Sequence, residues 1–269
     1  MSRRVYSHGE NPTRWRRAGV PMQKVALLLA CVASMLLVLP PGQASAHGWS
    51  RTGDARAFRV YRMDEAPTAM GRWDPCRPIG YRVNRTRATP GAVADVREAI
   101  RRVSWATGLK FVYRGTTTVV PQEQWANHAY PADTQLIVAW VRPSQTTLWP
   151  SGGMTVNGQN TLAGRGGSWH VTARDTAGRL WGRYNRGFVI LNAGMNFPAG
   201  FGATGPSGSR GRQLMHELGH VVGLDHPFRA DRQEVMYPEL TRQPAHWGRG
   251  DLAGLRIVGA GGGCLRDVA

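Results

Sequence analysis

The first long apolar run, Val25 to Leu39, has no period and is bounded by Arg14, Arg16, Arg17 and Lys24 before it and Pro40-Pro41-Gly42 after it. Its 15 residues fall short of the roughly 20 needed to cross a bilayer. Ala44-Ser45-Ala46 then offers the small side chains that signal peptidase accepts, so residues 1–46 are expected to be a secretory leader cut near Ala46. Met22 is an alternative start. Leu28-Leu29-Ala30-Cys31 is similar to a lipoprotein box, which leaves an anchored form as the alternative, although the run continues past Cys31. Arginine pairs at 3–4 and 16–17 give only a faint twin-arginine pattern. Residues 47–72 are polar, Arg-rich and weakly periodic, and read as an extended arm or a short pro-segment.

Regular patterns begin after that arm. Ile79 to Asn84 alternates apolar and polar, which predicts a strand. Thr89-Pro90 supplies a cap and first-turn pair. Val93, Val96, Ile100, Val103 and Trp105 then follow helical spacing to about Thr107, with Gly108 as the stop. Leu109 to Arg114 reads as a second strand and Thr134 to Val141, strongly apolar, as a buried central one. Strand, helix and strand in this order predict a crossover with parallel pairing. Residues 143–167, rich in Gly, Ser, Thr and Asn, read as a long surface loop. Ser168 to Arg174 and Leu180 to Asn192 read as two strands about a turn at 175–178. Leu214, Leu218, Val221 and Val222 stripe a helix from about Arg210 to Val222, capped by Ser207 or Ser209. A closing helix over Gly250 to Val258 turns Leu252, Leu255, Ile257 and Val258 inward, ahead of a Gly-rich tail. No repeat or second domain interrupts 73–269.

Charge and cysteine usage add little to this outline. The formal net charge is +17, and removal of residues 1–46, with six basic and one acidic side chain, leaves +12. The arginines are scattered, without a dense run or a nucleic-acid-binding module, so no specific nucleic-acid partner is expected. A basic wall-binding or nucleic-acid-binding protein remains the alternative that charge alone permits. Loss of Cys31 with the leader leaves Cys76 and Cys264. In an oxidising compartment their simple reading is a disulfide that closes nearly the whole domain.

The chemistry is concentrated in residues 216–226, His-Glu-Leu-Gly-His-Val-Val-Gly-Leu-Asp-His. Four residues apart on a helix, His216 and His220 leave the same face and can share one Zn²⁺. Glu217, on the flank of that face, can reach a water at the metal without being a ligand. Gly223 can adopt the left-handed conformation that ends the helix, after which the chain can present His226 as third ligand. Three protein ligands leave a position open, which marks a catalytic zinc site. Five such fixed residues recur by chance in roughly one chain in a hundred thousand of this length. Asp225, beside His226, reads as a turn residue.

Met236, Tyr237 and Pro238 follow ten residues later. The string HExxHxxGxxH and this methionine turn together resemble the metzincin zinc endopeptidases. The Met-Tyr-Pro form is similar to bacterial secreted matrixin-like peptidases. The resemblance is close over 210–240 and looser, in element order, over 73–264. It implies an α+β, zincin-like fold: a twisted, mixed, mostly parallel sheet with a long N-terminal helix, an active-site helix and a C-terminal helix. It implies one catalytic Zn²⁺ on His216, His220 and His226, Glu217 as general base, Met236 as a floor beneath the metal, and Tyr237 and Pro238 in the pocket wall. A strand just before the catalytic helix would take the substrate backbone at its edge. Protein or peptide substrates, a secreted monomer and no lasting membrane insertion follow from the same reading. The matrixin switch pattern is missing around Cys76, and so is the His/Asp pattern for a second zinc and calcium, which leaves calcium open. The alternative is a non-catalytic secreted zinc-containing binding protein of the same fold, whose expected signature, a lost general base, is not met because Glu217 is intact.

Overall fold

The computed structural model describes residues 52–64, 66–123, 130–149, 155–156, 159–160, 162–229 and 231–267, and the predicted leader lies outside them. Eleven strands and three helices are assigned among these residues. They are β1 (Arg59–Val60), β2 (Gly71–Arg72), β3 (Ile79–Asn84), α1 (Ala92–Thr107), β4 (Phe111–Thr117), β5 (Leu136–Val141), β6 (Thr155–Val156), β7 (Gln159–Asn160), β8 (Gly164–Asp175), β9 (Leu180–Asn192), α2 (Arg210–Val222), β10 (Leu224–Asp225), α3 (Arg249–Val258) and β11 (Leu265–Asp267).

The main sheet has the order β11-β8-β9-β5-β3-β4, with β2 added alongside β9. Strands β4, β3, β5 and β9 run parallel, as does β2 against β9, whereas β8 and β11 join antiparallel. The sheet is therefore mixed and mostly parallel, with α1 bridging the parallel pair β3 and β4.

Strand β5 is apolar at every position because both of its faces are covered. Leu136, Val138 and Trp140 point to the core shared with α1 and α2, while Ile137, Ala139 and Val141 join a second cluster on the opposite face with Leu148, Trp149, Phe188 and Ile190. Period-two alternation splits the run cleanly between the two cores. Strand β9 does the same, with Val189 and Leu191 on the helix side.

Several sequence expectations need correction. Helix α1 is capped by Gly91 in the left-handed conformation, not by Thr89; the Thr89 hydroxyl accepts a hydrogen bond from Arg210 instead. Trp105 lies outside the buried stripe of α1, being 40 % exposed. In α3, Leu255 and Val258 face the core but Ile257 is 38 % exposed, because two residues beyond Leu255 the helix has turned about 200°. Residues 164–167 belong to β8 rather than to a loop.

The described part of the C-terminal tail is tied to the sheet. Cys76 and Cys264 form the disulfide, with Cα atoms 5.4 Å apart. The buried Arg72 donates to the carbonyls of Gly263 (2.8 Å) and Gly262 (2.9 Å), seating the Gly-rich tail. No described helix is long and apolar enough to cross a membrane.

Candidate metal centre

Ser209 begins α2 in extended conformation and its side chain accepts from Arg212 N, while Gly223 (φ 118°) ends the helix with its N–H on the Gly219 and His220 carbonyls. Nearly every residue of α2 is buried, and its two arginines are partnered. The Arg210 guanidinium meets Asp95 of α1 at 2.7 Å, and Arg212 donates to the carbonyls of Glu234 (2.6 Å) and Pro244 (3.1 Å).

His216, His220 and His226 converge as the spacing predicts. One ring nitrogen from each lies within 4.8 Å of the others, and His216 Nε2 is 3.1 Å from His226 Nε2. A tetrahedral zinc with nitrogens at about 2.0–2.1 Å sets its ligands roughly 3.3 Å apart, close to the separation of the His216 and His226 nitrogens. The outer nitrogens of two rings are already committed. His216 Nδ1 lies 2.8 Å from the Val235 carbonyl and His220 Nδ1 2.9 Å from the Leu224 carbonyl. A carbonyl only accepts, so both Nδ1 atoms carry the proton and both Nε2 atoms keep a lone pair for a metal. Burial lowers the pKa of all three imidazoles, that of His220 to about 4, which holds them in the neutral form a cation needs. Among the described residues one other group of potential ligands meets, Asp74 with Cys76 and Cys264, but its cysteines are spent in the disulfide.

Glu217 is buried one residue after His216. Burial pushes its carboxyl up to about 8, against the pull of the Gly166 N–H and the Arg165 guanidinium. Glycines of β8 allow this approach. A methyl at Gly166 would overlap the Glu217 carbonyl oxygen, and one at Gly164 would lie 2.9 Å from Glu217 Oε1. Glu217 and the three histidines open onto one cleft of about 810 Å³, which Tyr61, Arg165, Tyr237 and Pro238 also line.

Met236 is buried against the underside of α2, where its Sδ occupies the space a Cβ at Gly219 would need. Asp225 is no part of the converging triad. It accepts the His226 N–H at 2.7 Å and pairs with Arg59 at 2.9 Å, but it does so from strand β10 rather than from the turn expected of it. Sequence reading missed Gly164, Gly166 and Gly219, which act through the side chains they lack, and Tyr61, whose hydroxyl lies 3.2 Å from His220 Nδ1. An isolated glycine inside an otherwise strong helical pattern was the available signal for Gly219 alone.

No protein-family model matches the sequence, and no curated protein matches it. A solved structure to which it is similar is high choriolytic enzyme 1, a hatching-enzyme zinc protease from the medaka fish Oryzias latipes, at 13% identity, 66% of this chain, 54% of that chain and a TM-score of 0.24. The chain thus spans about half the length of that protein.

Proposed function

We propose that the chain is a secreted, metzincin-like zinc endopeptidase of the matrixin type, acting on protein or peptide substrates. The observation that carries this reading is the convergence of three neutral imidazoles, two with Nδ1 pinned to a carbonyl, beside a buried carboxyl that is not a ligand. When bound, zinc supplies a Lewis acid and lowers the pKa of its water toward about 7. Glu217 accepts the proton of the attacking water on its carboxylate and passes it to the leaving amine. Burial alone keeps the Glu217 carboxyl protonated near neutral pH; the Gly166 N–H and Arg165 pull against it, and a cation held by the histidines would add to that pull and favour the ionised form this first step needs.

Strand β8 is paired with β9 on one side, and β11 covers only Ala173–Asp175 on the other. The outer edge of Gly164–Trp169 is the place where an extended substrate backbone adds as a further strand. Tyr237 and Pro238, which also line the cleft, would serve as pocket wall, and Met236 as the floor. Casein or gelatin digestion by the mature protein tests the assignment: a chelator abolishes cleavage and zinc restores it. Zinc binding without any cleavage would favour a non-catalytic zinc protein.

A further inference from the structure

Residues 59–72 lie outside the sequence block that carries the histidines, yet they reach it at several points. Arg59 and Val60 of β1 pair antiparallel with Asp225 and Leu224 of β10, and Tyr61 N–H donates to the Gly223 carbonyl at 2.9 Å. Three consecutive arm residues therefore hold the three residues that join the end of α2 to His226. Asp225 links the two sides, taking Arg59 on one carboxylate oxygen and the His226 N–H on the other. Behind this ribbon Gly71 N–H donates to the Tyr61 carbonyl (3.2 Å), and the Gly71 carbonyl stands 2.8 Å from where a Cβ at Gly223 would be. The Tyr61 ring packs beside His220, centroids 5.8 Å apart, with its hydroxyl 3.2 Å from Nδ1.

We propose that Tyr61 is a positioning residue for His220, and that the arm carrying it, residues 59–72, is a permanent part of the metal centre rather than a removable pro-segment. This rests on the zinc reading of the three histidines. Since Leu224 O fixes the proton on His220 Nδ1, the Tyr61 oxygen accepts the second branch of a three-centre bond. Two acceptors from two segments hold the imidazole plane and keep Nε2 aimed at the ion. Such outer partners of a ligating histidine control metal affinity as well as geometry.

The test compares wild type with Tyr61→Phe, which keeps the ring and removes the oxygen. Zinc dissociation constants come from competition with a chromophoric chelator, and ligand geometry from the visible spectrum of the cobalt(II)-substituted protein. Tyr61→Phe is expected to bind zinc about tenfold more weakly, with an altered cobalt spectrum and an unchanged melting temperature of the metal-free chain. Equal zinc affinity and equal spectra in the two proteins overturn the role, as does a loss of peptidase activity alone, which would place Tyr61 against substrate. A wild type that binds no zinc overturns the centre itself and this role with it. If Tyr61→Phe does not fold, imidazole ¹⁵N shifts of the zinc-loaded wild type decide: a His220 ring ligated through Nδ1 contradicts the proposal. Sequencing of the N-terminus of the active zinc-loaded form is expected to find a start before Arg59. An active form that begins after Arg72 contradicts the permanence of the arm.

Discussion

Glu234 and Asp251 each satisfy the backbone of the other's element. Asp251, in the first turn of α3, accepts from Val235 N (2.5 Å), Met236 N (3.2 Å) and Gly248 N (3.0 Å), while Glu234, just before the methionine turn, accepts from Gly250 N (3.1 Å) and Asp251 N (2.8 Å). Both carboxyls are fully buried. The Val235 carbonyl bonds His216, so this reciprocal clamp holds one imidazole of the proposed zinc site and Met236 beneath α2. Asp251→Ala strands buried N–H groups and is expected to destabilise the fold by about 3 kcal/mol, with weaker zinc binding. Urea denaturation and chelator competition measure the two effects.

The same pair makes stability depend on pH. Burial, and then the neighbouring Asp251 charge, push Glu234 from 4.5 up to about 8, and burial also raises Asp251. The Arg212 guanidinium of α2 is the cation facing both carboxyls. The folded chain therefore retains protons that the unfolded chain has already released. Its stability from this pair is greatest below 4.5 and declines as pH rises toward about 8. Urea midpoints of the zinc-loaded wild type and of Glu234→Gln, followed from pH 5 to 9, should converge toward alkaline pH as the wild type loses its relative advantage. Parallel curves would remove Glu234 from this role.

Gly166 has no room for a side chain against the Glu217 backbone. Gly166→Ala must push β8 away from α2, and overpacking of this kind costs about 1–3 kcal/mol. It also shifts Glu217, so kcat should fall more than thermal stability alone explains. Unchanged kcat in a folded Gly166→Ala would show that the strand yields without moving the carboxyl.

Cys76 and Cys264 staple the start of the sheet to the C-terminal tail, 188 residues apart. The double replacement Cys76→Ser with Cys264→Ser should lower stability by roughly 2–5 kcal/mol, yet leave zinc stoichiometry unchanged, as the staple is no part of the histidine site. Calorimetry and metal analysis of the reduced and oxidised chains check both halves.

Local pattern made the centre of the molecule legible. Helix α2, its Ser209 cap, its Gly223 stop and the three histidines all lie within one short segment with strong periodicity, and the all-apolar β5 could be nothing but buried. The glycine-rich start of β8 looked like a loop because composition cannot distinguish a flexible glycine from one demanded by a neighbouring backbone. Strands β1 and β10 have two residues each and carry no period. Tyr61 is 159 residues from His220 in sequence, and Glu234 and Asp251 come together only through tertiary packing. Long-range closures of this kind leave no trace in hydrophobic spacing.

The zinc centre and its base are tested together by zinc content and peptide cleavage of wild type and Glu217→Ala. About one zinc per chain is expected in both proteins, as for a three-ligand catalytic site, with chelator-sensitive cleavage by the wild type and none by Glu217→Ala. A wild type without zinc, or a Glu217→Ala chain that cleaves at the wild-type rate, would contradict that expectation.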